Sequence, residues 1–141
     1  MAVTDQSEAI WKAIRARLIA DTGIRAILGS DYANRIVRRA LPGESLPCIL
    51  CTAMESADRG TDDSDAETVR IELHIWAKAG HLVSGENAGA ALKTLVKSSL
   101  HWSATALRTT VERVSGPLPD PQPDLLHFVI VIEAISEHVD L

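Results

Sequence analysis

The sequence has few cysteines and few aromatic residues, and it contains no long hydrophobic run. Two cysteines in 141 residues exclude a disulfide-rich secreted scaffold. A chain of this length buries roughly 68–70% of its unfolded surface, so it can build a core without disulfides or metals. The longest apolar run, residues 128–132, stops at Glu133 and is far shorter than the ~20 residues that cross a membrane. It predicts a buried strand.

The first eight residues also lack the basic and apolar stretches of a signal peptide. We therefore expect the chain to stay in the cytoplasm of the cell that makes it. No internal repeat, domain linker or low-complexity tract interrupts the sequence, which predicts a single domain over residues 1–141.

Positive charge is scarce overall but unevenly distributed. Fourteen Lys and Arg residues against nineteen Asp and Glu residues give a net charge of −5, which argues against an unspecific nucleic-acid binder. Residues 10–39 hold seven basic and two acidic side chains, whereas residues 56–141 hold thirteen acidic and seven basic ones. Such a dipolar distribution suits self-association between a basic and an acidic face. Ordinary solvated surfaces are the alternative.

Two stretches have the spacing of helices. In the segment from Thr4 to Asp21, apolar residues recur every four positions, with an Asp5/Glu8 capping box before them and Gly23 as a stop. A short helical turn over residues 24–28 follows and closes at Gly29. A second main helix is predicted from an N-cap at Ser84 to about Leu100.

The remaining apolar segments have the period of strands. They cover residues 35–38, 47–54, 69–78, 107–114 and 125–135, with an acidic loop at 56–66 and a Pro-rich loop at 115–123. This order predicts an α+β fold with a single mixed or antiparallel sheet of about five strands and two main helices packed on one face.

The strand around Trp76 has one wholly apolar face. Val69, Ile71 and Leu73 begin that face, and His74 and Trp76 point the other way. The last strand likewise places valines on its second face. Because two helices cover one face of a sheet, we expect the second face to meet another chain. A helix on each side of the sheet within one monomer is the alternative.

No stretch carries the signature of catalysis or metal binding. Cys48 and Cys51 form a C-x-x-C, but residues three apart on a strand point to opposite faces, so we expect buried free thiols. The acidic loop does not match the spacing of a calcium loop. We interpret this loop as a charged tip that either stays solvated or contacts the basic face of a neighbouring subunit. We predict no enzymatic activity, no cofactor and no metal; an enzyme built on dispersed residues is the alternative.

The order and spacing of these segments resemble the tail terminator, or tail completion, proteins of long-tailed bacteriophages and gene transfer agents. The resemblance rests on the helix of residues 8–18 with the turn of residues 27–29, on Leu46-Pro47-Cys48-Ile49, and on Leu73-His74-Ile75-Trp76-Ala77-Lys78-Ala79-Gly80 before the second main helix.

This resemblance implies a structural virion protein that forms a homohexameric ring. The ring would cap the head-proximal end of the tail tube, stop the polymerisation of the tube protein and dock to head-completion proteins at the neck, after assembly in the host cytoplasm. DNA would pass through its channel without specific binding, and no enzymatic activity, cofactor or membrane contact is implied. Another neck connector subunit, or a small cytoplasmic ligand-binding or enzymatic domain, is the alternative.

Charge and aromatic exposure select the candidate contact residues for such an assembly. We predict that the subunit and partner interfaces use basic, acidic and aromatic side chains, namely Arg35, Arg38, Arg39, Asp62, Asp63, Asp65, His74 and Trp76.

Overall fold

A computed structural model describes residues 7–38, 46–58, 67–104, 107–118 and 124–136. The helices are α1 (Ser7–Ala20), α2 (Thr22–Leu28) and α3 (Ala88–Ser99), with a 3-10 turn at Tyr32–Asn34. The strands are β1 (Ile36–Val37), β2 (Cys48–Asp58), β3 (Glu67–Lys78), β4 (Leu82–Val83), β5 (Glu86–Asn87), β6 (Trp102–Ala104), β7 (Leu107–Ser115) and β8 (Leu125–Ser136).

Helix α1 buries the predicted apolar stripe and ends at Ala20, close to the predicted end at about Asp21, but Gly23 is not the residue that stops it. Ile14 and Leu18 are fully buried against the core. Asp21 leaves the helical conformation and caps α2, where its carboxylate accepts a hydrogen bond from the Ile24 amide at 3.1 Å. Gly23, predicted to stop the first helix, therefore lies inside α2. The stop at Gly29 is confirmed, and its φ of +88° is one that glycine adopts without steric cost. Asp5 lies outside the described residues.

The main sheet has six strands in the order β1-β2-β3-β8-β7-β6, and it is curled. Strands β1 and β2 are parallel, and the other neighbouring pairs are antiparallel. The mixed sheet is confirmed, whereas the count of about five strands is wrong by one. The additional strand, β6, has three residues, which is too short for an alternating pattern to reveal.

A small hairpin, β4 paired with β5, occupies the place where the second main helix was predicted to begin. Ser84 has a φ of +52° and Gly85 one of +83°, as a two-residue hairpin turn requires. Asn87 caps α3 instead, because its side-chain oxygen accepts a hydrogen bond from the Gly89 amide at 2.8 Å. Ser84 was therefore wrong as the N-cap.

Two of the predicted loops are shorter than expected. Strand β2 runs to Asp58 and β7 to Ser115, so each takes in residues that the sequence assigned to a loop. The rest of the acidic loop, residues 59–66, lies outside the described residues. So does most of the Pro-rich loop, residues 119–123.

The core lies between the helices and one face of the sheet. The predicted alternation of β3 is confirmed, since Val69, Ile71, Leu73, Ile75 and Ala77 are all fully buried. The first four share one cluster with residues of α1, α2 and α3 and with inward side chains of β8. In the described ranges, all three helices contribute to this one layer, and none packs on the opposite face of the sheet.

Candidate functional site

The face of the sheet opposite the helices carries the polar and aromatic side chains of four neighbouring strands. The strand registers align these residues across β2, β3, β8 and β7. We call this surface the open face; it comprises Leu50, Ala53, Glu55, Arg70, Glu72, His74, Trp76, His127, Val129, Val131, Glu112 and Arg113.

A ring stack occupies one end of the open face. Trp76 lies directly across from His127 in the register of β3 and β8, and their rings are parallel within 7° with centroids 3.8 Å apart. The His74 ring adjoins that of His127, with an angle of 24° between the two ring planes and 4.7 Å between their centroids. Flat aromatic surfaces of this kind make large contacts at a low cost in conformational entropy.

Hydrogen bonds hold the stack in place. The Nε2 atom of His74 lies 2.6 Å from a carboxylate oxygen of Glu72, and its Nδ1 atom contacts Nε2 of His127. An ionised carboxylate only accepts hydrogen bonds, so His74 donates from Nε2, and in its neutral form it accepts from His127 at Nδ1. With both of its ring nitrogens engaged, His74 has no free lone pair for a metal ion.

The other end of the open face is a polar pocket of about 440 Å³. A bulge between Val111 and Arg113 lets both Glu112 and Arg113 line it. Arg70 pairs with Glu112 across the pocket, with Nη2 and Oε2 3.0 Å apart. The pair is partly exposed, so it contributes little stability. The pocket places charges of both signs beside the apolar side chains of Ala53 and Val131, whereas sites for apolar ligands are lined mainly by hydrophobic and aromatic side chains.

The apolar residues of this face are sheltered within the monomer. Val129 and Val131 are only 8% and 6% exposed within the monomer, because the long side chains of the neighbouring strands flank them. The face therefore needs less cover than its sequence suggests. Among the described residues, the large hydrophobic side chain left exposed is Leu82, at 62%, on the β4–β5 hairpin.

The predicted contact residues are only partly brought together. His74 and Trp76 share the ring stack. Arg35 donates from Nη1 to the Pro47 carbonyl at 3.4 Å, and Arg38 forms a 2.7 Å ion pair with Glu8 at the start of α1. The other four, Arg39, Asp62, Asp63 and Asp65, lie outside the described residues.

Sequence reasoning missed His127 and Glu72 as members of the stack. Both occupy outward positions of alternating strands, so their face could be read from the sequence. Their contacts could not, because these depend on which residue of β8 lies opposite which residue of β3.

The two cysteines confirm the prediction of buried free thiols on opposite faces. Cys51 belongs to the core cluster, whereas Cys48 lies opposite Trp76. Burial raises the pKa of each thiol to about 11, so neither is a nucleophile near neutral pH.

The described residues hold no group of three or more His, Cys, Asp or Glu side chains arranged for a metal ion. No helix in the described ranges is long and apolar enough to cross a membrane.

The fold is similar to one found in a solved virion structure. A chain of the solved virion of a native gene transfer agent (GTA) particle matches with a TM-score of 0.72. The match covers 96% of this chain and 100% of that one at 13% sequence identity, so it concerns the fold alone. No curated protein sequence matches.

The sequence model of the family described as tail completion protein gp17 matches residues 12–137. The chain belongs to this family, and the resemblance drawn from its sequence is confirmed. Its role is that of a structural protein of a bacteriophage-type tail.

Proposed function

We propose that this chain forms a homohexameric ring at the head-proximal end of the tail tube, where it ends tube polymerisation and joins the tail to the head. Membership of the tail completion family supports this role. The observation that carries it is the open face, a sheet surface with a rigid ring stack that the described helices leave uncovered.

A closed ring of identical subunits needs two different patches on each subunit, one meeting the other on the next copy. The open face supplies one patch. The β4–β5 hairpin, which presents Leu82 with 62% exposure, is a second surface with an unburied hydrophobic side chain. Isolated exposed leucines are common on monomers, so the hairpin supports the proposal only together with the open face.

Such a ring would stop tube growth because its two ends differ. One end would bind the last ring of tube protein, and the other would bind head-completion proteins instead of another tube subunit. The net charge of −5 suits a channel through which DNA passes without being gripped, since like charges disfavour phosphate contacts. The role requires no catalysis and no cofactor, and it places the protein at the neck of the virion after assembly in the host cytoplasm.

The charged residues predicted as contacts differ in whether they already have a partner within the subunit. Arg39, Asp62, Asp63 and Asp65 remain proposed contacts of the ring. Arg38 already pairs with Glu8, so any contact it makes with a neighbour must compete with that pair.

Native mass spectrometry and negative-stain microscopy of the purified chain, alone and with tail-tube protein, test the proposal. We expect closed six-membered rings, and tubes of uncontrolled length in cells that lack the chain. Trp76→Ser should abolish the rings, whereas Trp76→Phe should preserve them because it keeps an aromatic surface against His127. A chain that stays monomeric with tube protein, together with tubes of normal length in its absence, would refute the proposal.

A further inference from the structure

A second concave surface lies on the opposite side of the molecule, between α1 and α2. This basic groove has a volume of about 400 Å³ and is lined by Lys12, Arg15, Ala16, Ile19, Ala20 and Arg25. Three of its side chains are cationic, three are apolar, and none is acidic. Helix α1 supplies five of the six lining residues, and α2 supplies Arg25. The five lie on one face of α1, because residues three or four positions apart are neighbours on a helix surface.

Two of the three cations of the groove, Arg15 and Arg25, are held in place without a carboxylate partner in the described part of the chain. Arg15 donates from Nε to the Ile36 carbonyl at 2.9 Å and from Nη2 to that of Ala33. The Arg25 guanidinium lies over the Tyr32 ring, 5.7 Å from its centroid. Its Nε is buried and has no hydrogen-bond acceptor among the described residues. The two arginines therefore keep their positive charge at the groove without an acidic side chain of the described residues to neutralise it.

The chain itself carries the complementary charge. The segment of residues 58–67, which connects β2 to β3, has a single basic residue, Arg59. The segment also has five acidic residues, which give it a net charge of −4: Asp58, Asp62, Asp63, Asp65 and Glu67.

In its own chain, this acidic segment begins far along β2 from the Arg15 end of the groove. Arg15 binds the carbonyl of Ile36, which lies opposite Ile49, and Asp58 is nine residues further along β2. At ~3.3 Å per residue, that separation is roughly 30 Å. Asp58 and Glu67, the two ends of the segment, are paired with each other at this far end of the sheet.

We propose that the basic groove binds the acidic segment of a second copy of this chain. The inference rests on the proposed self-association and identifies one of its contacts. The groove and the segment are different patches, so the contact is heterologous and repeats from copy to copy, as a closed ring requires. Opposite charges would steer neighbours together and set their orientation, and salt would weaken the contact.

Charge exchange between the two surfaces tests the inference. The groove variant carries Lys12→Glu and Arg25→Glu, and the segment variant carries Asp62→Lys, Asp63→Lys and Asp65→Lys. Arg15 is left intact because its hydrogen bonds join α1 to β1. Each variant alone should assemble at least tenfold less tightly than the native chain in analytical ultracentrifugation. An equimolar mixture of the two should restore assembly as rings in which the variants alternate, because every groove then faces a segment of opposite charge. A chain carrying both sets should assemble by itself for the same reason.

Lys97→Glu, an exposed cation of α3 outside the groove, is the matched control and should assemble normally. Circular dichroism should show native folding for every variant. A labelled peptide of residues 58–67 should bind the full-length native chain, and its affinity should fall at least tenfold for the groove variant and on raising NaCl from 50 to 500 mM.

The outcomes separate this contact from the ring proposal. Rings that form equally well in both charge variants would overturn the contact while leaving the ring in place. Specific peptide binding by a chain that never forms rings would support the groove and refute the ring. An acidic tail-tube or neck protein that binds the groove while the peptide does not would overturn the assignment to a second copy.

Discussion

Replacing Asp21 by Ala should destabilise the joint between the three helices. One carboxylate oxygen of Asp21 accepts the Ile24 amide at 3.1 Å, and the other accepts the Ser99 hydroxyl at 2.7 Å. A single side chain thus caps α2 and ties the α1–α2 turn to the end of α3, 78 residues away in sequence. Arg17 adds a hydrogen bond from Nε to the Ser99 carbonyl at 3.1 Å.

The magnitude follows from these two roles. Loss of an N-cap costs about 1 kcal/mol, and loss of a hydrogen bond to a charged group costs about 1.5 kcal/mol at a half-buried position. The free energy of unfolding should therefore fall by about 2.5 kcal/mol. At about 3 °C per kcal/mol for a chain of this size, the melting temperature should drop by roughly 7 °C. Ser99→Ala should cost only the second part, about 1.5 kcal/mol.

The effect should depend on pH. Burial alone would raise the pKa of Asp21, but the hydrogen bonds from Ser99, Ile24 and Gly23 and the charge of Arg17 outweigh it and lower the pKa below its ordinary value. A carboxyl with a lowered folded pKa stabilises the fold above its unfolded pKa of about 3.9. It loses that contribution as the pH falls through the folded value.

Thermal unfolding of the native chain and of Asp21→Ala by circular dichroism between pH 7 and pH 3 measures both effects. The difference in melting temperature should be full at pH 6–7 and should narrow below pH 4. A difference of less than about 1 °C at pH 7, or one that grows as the pH falls, would refute the reasoning.

Two further predictions concern the two cysteines of β2 and Gly116, the residue after β7. With both pKa values raised to about 11, Cys48 and Cys51 should react with a thiol reagent at pH 8 only after unfolding in guanidinium; rapid labelling of the native chain would contradict their burial. Gly116→Ala should cost about 3 kcal/mol, because Gly116 has a φ of +128° and a Cβ there would lie 2.8 Å from the His127 carbonyl oxygen and from a ring carbon of Phe128. Gly80→Ala, with nothing within 4 Å of the new methyl group, is the control for urea unfolding and should change stability by less than about 0.5 kcal/mol; equal losses in the two variants would contradict the steric argument.

For the candidate site, the sequence predicted which face of a strand each residue lies on, but not the contacts between strands. The period-two pattern placed Trp76 and His74 on the face opposite the core, and the structure agrees. The partner His127 is 51 positions away from Trp76 in sequence, and their contact depends on the register between β3 and β8. The charge pattern marked Arg38 as available, but its pairing with Glu8 is a tertiary contact that no local pattern contains.

Helix boundaries were predictable where one residue decided them. Gly29 ended α2 as expected because its positive φ favours glycine. Gly23 was wrong as a helix stop and Ser84 was wrong as a helix cap, because in each case nearby residues form a different local structure. Asp21 supplies a cap with two hydrogen-bond partners, and the Ser84-Gly85 pair forms a hairpin turn that delays α3 until Asn87 can cap it.

The sequence by itself determined the α+β class, the core face of β3, the opposed cysteines and the likeness to tail completion proteins. These features depend on residue type and on spacing within one segment, which alternation and helical periodicity record directly. Only the tertiary structure decided the sixth strand, the sheltering of Val129 and Val131, the ring stack and the basic groove. Each of these depends on strand register, sheet curl or the packing of one helix beside another, and residues far apart in the chain create them together.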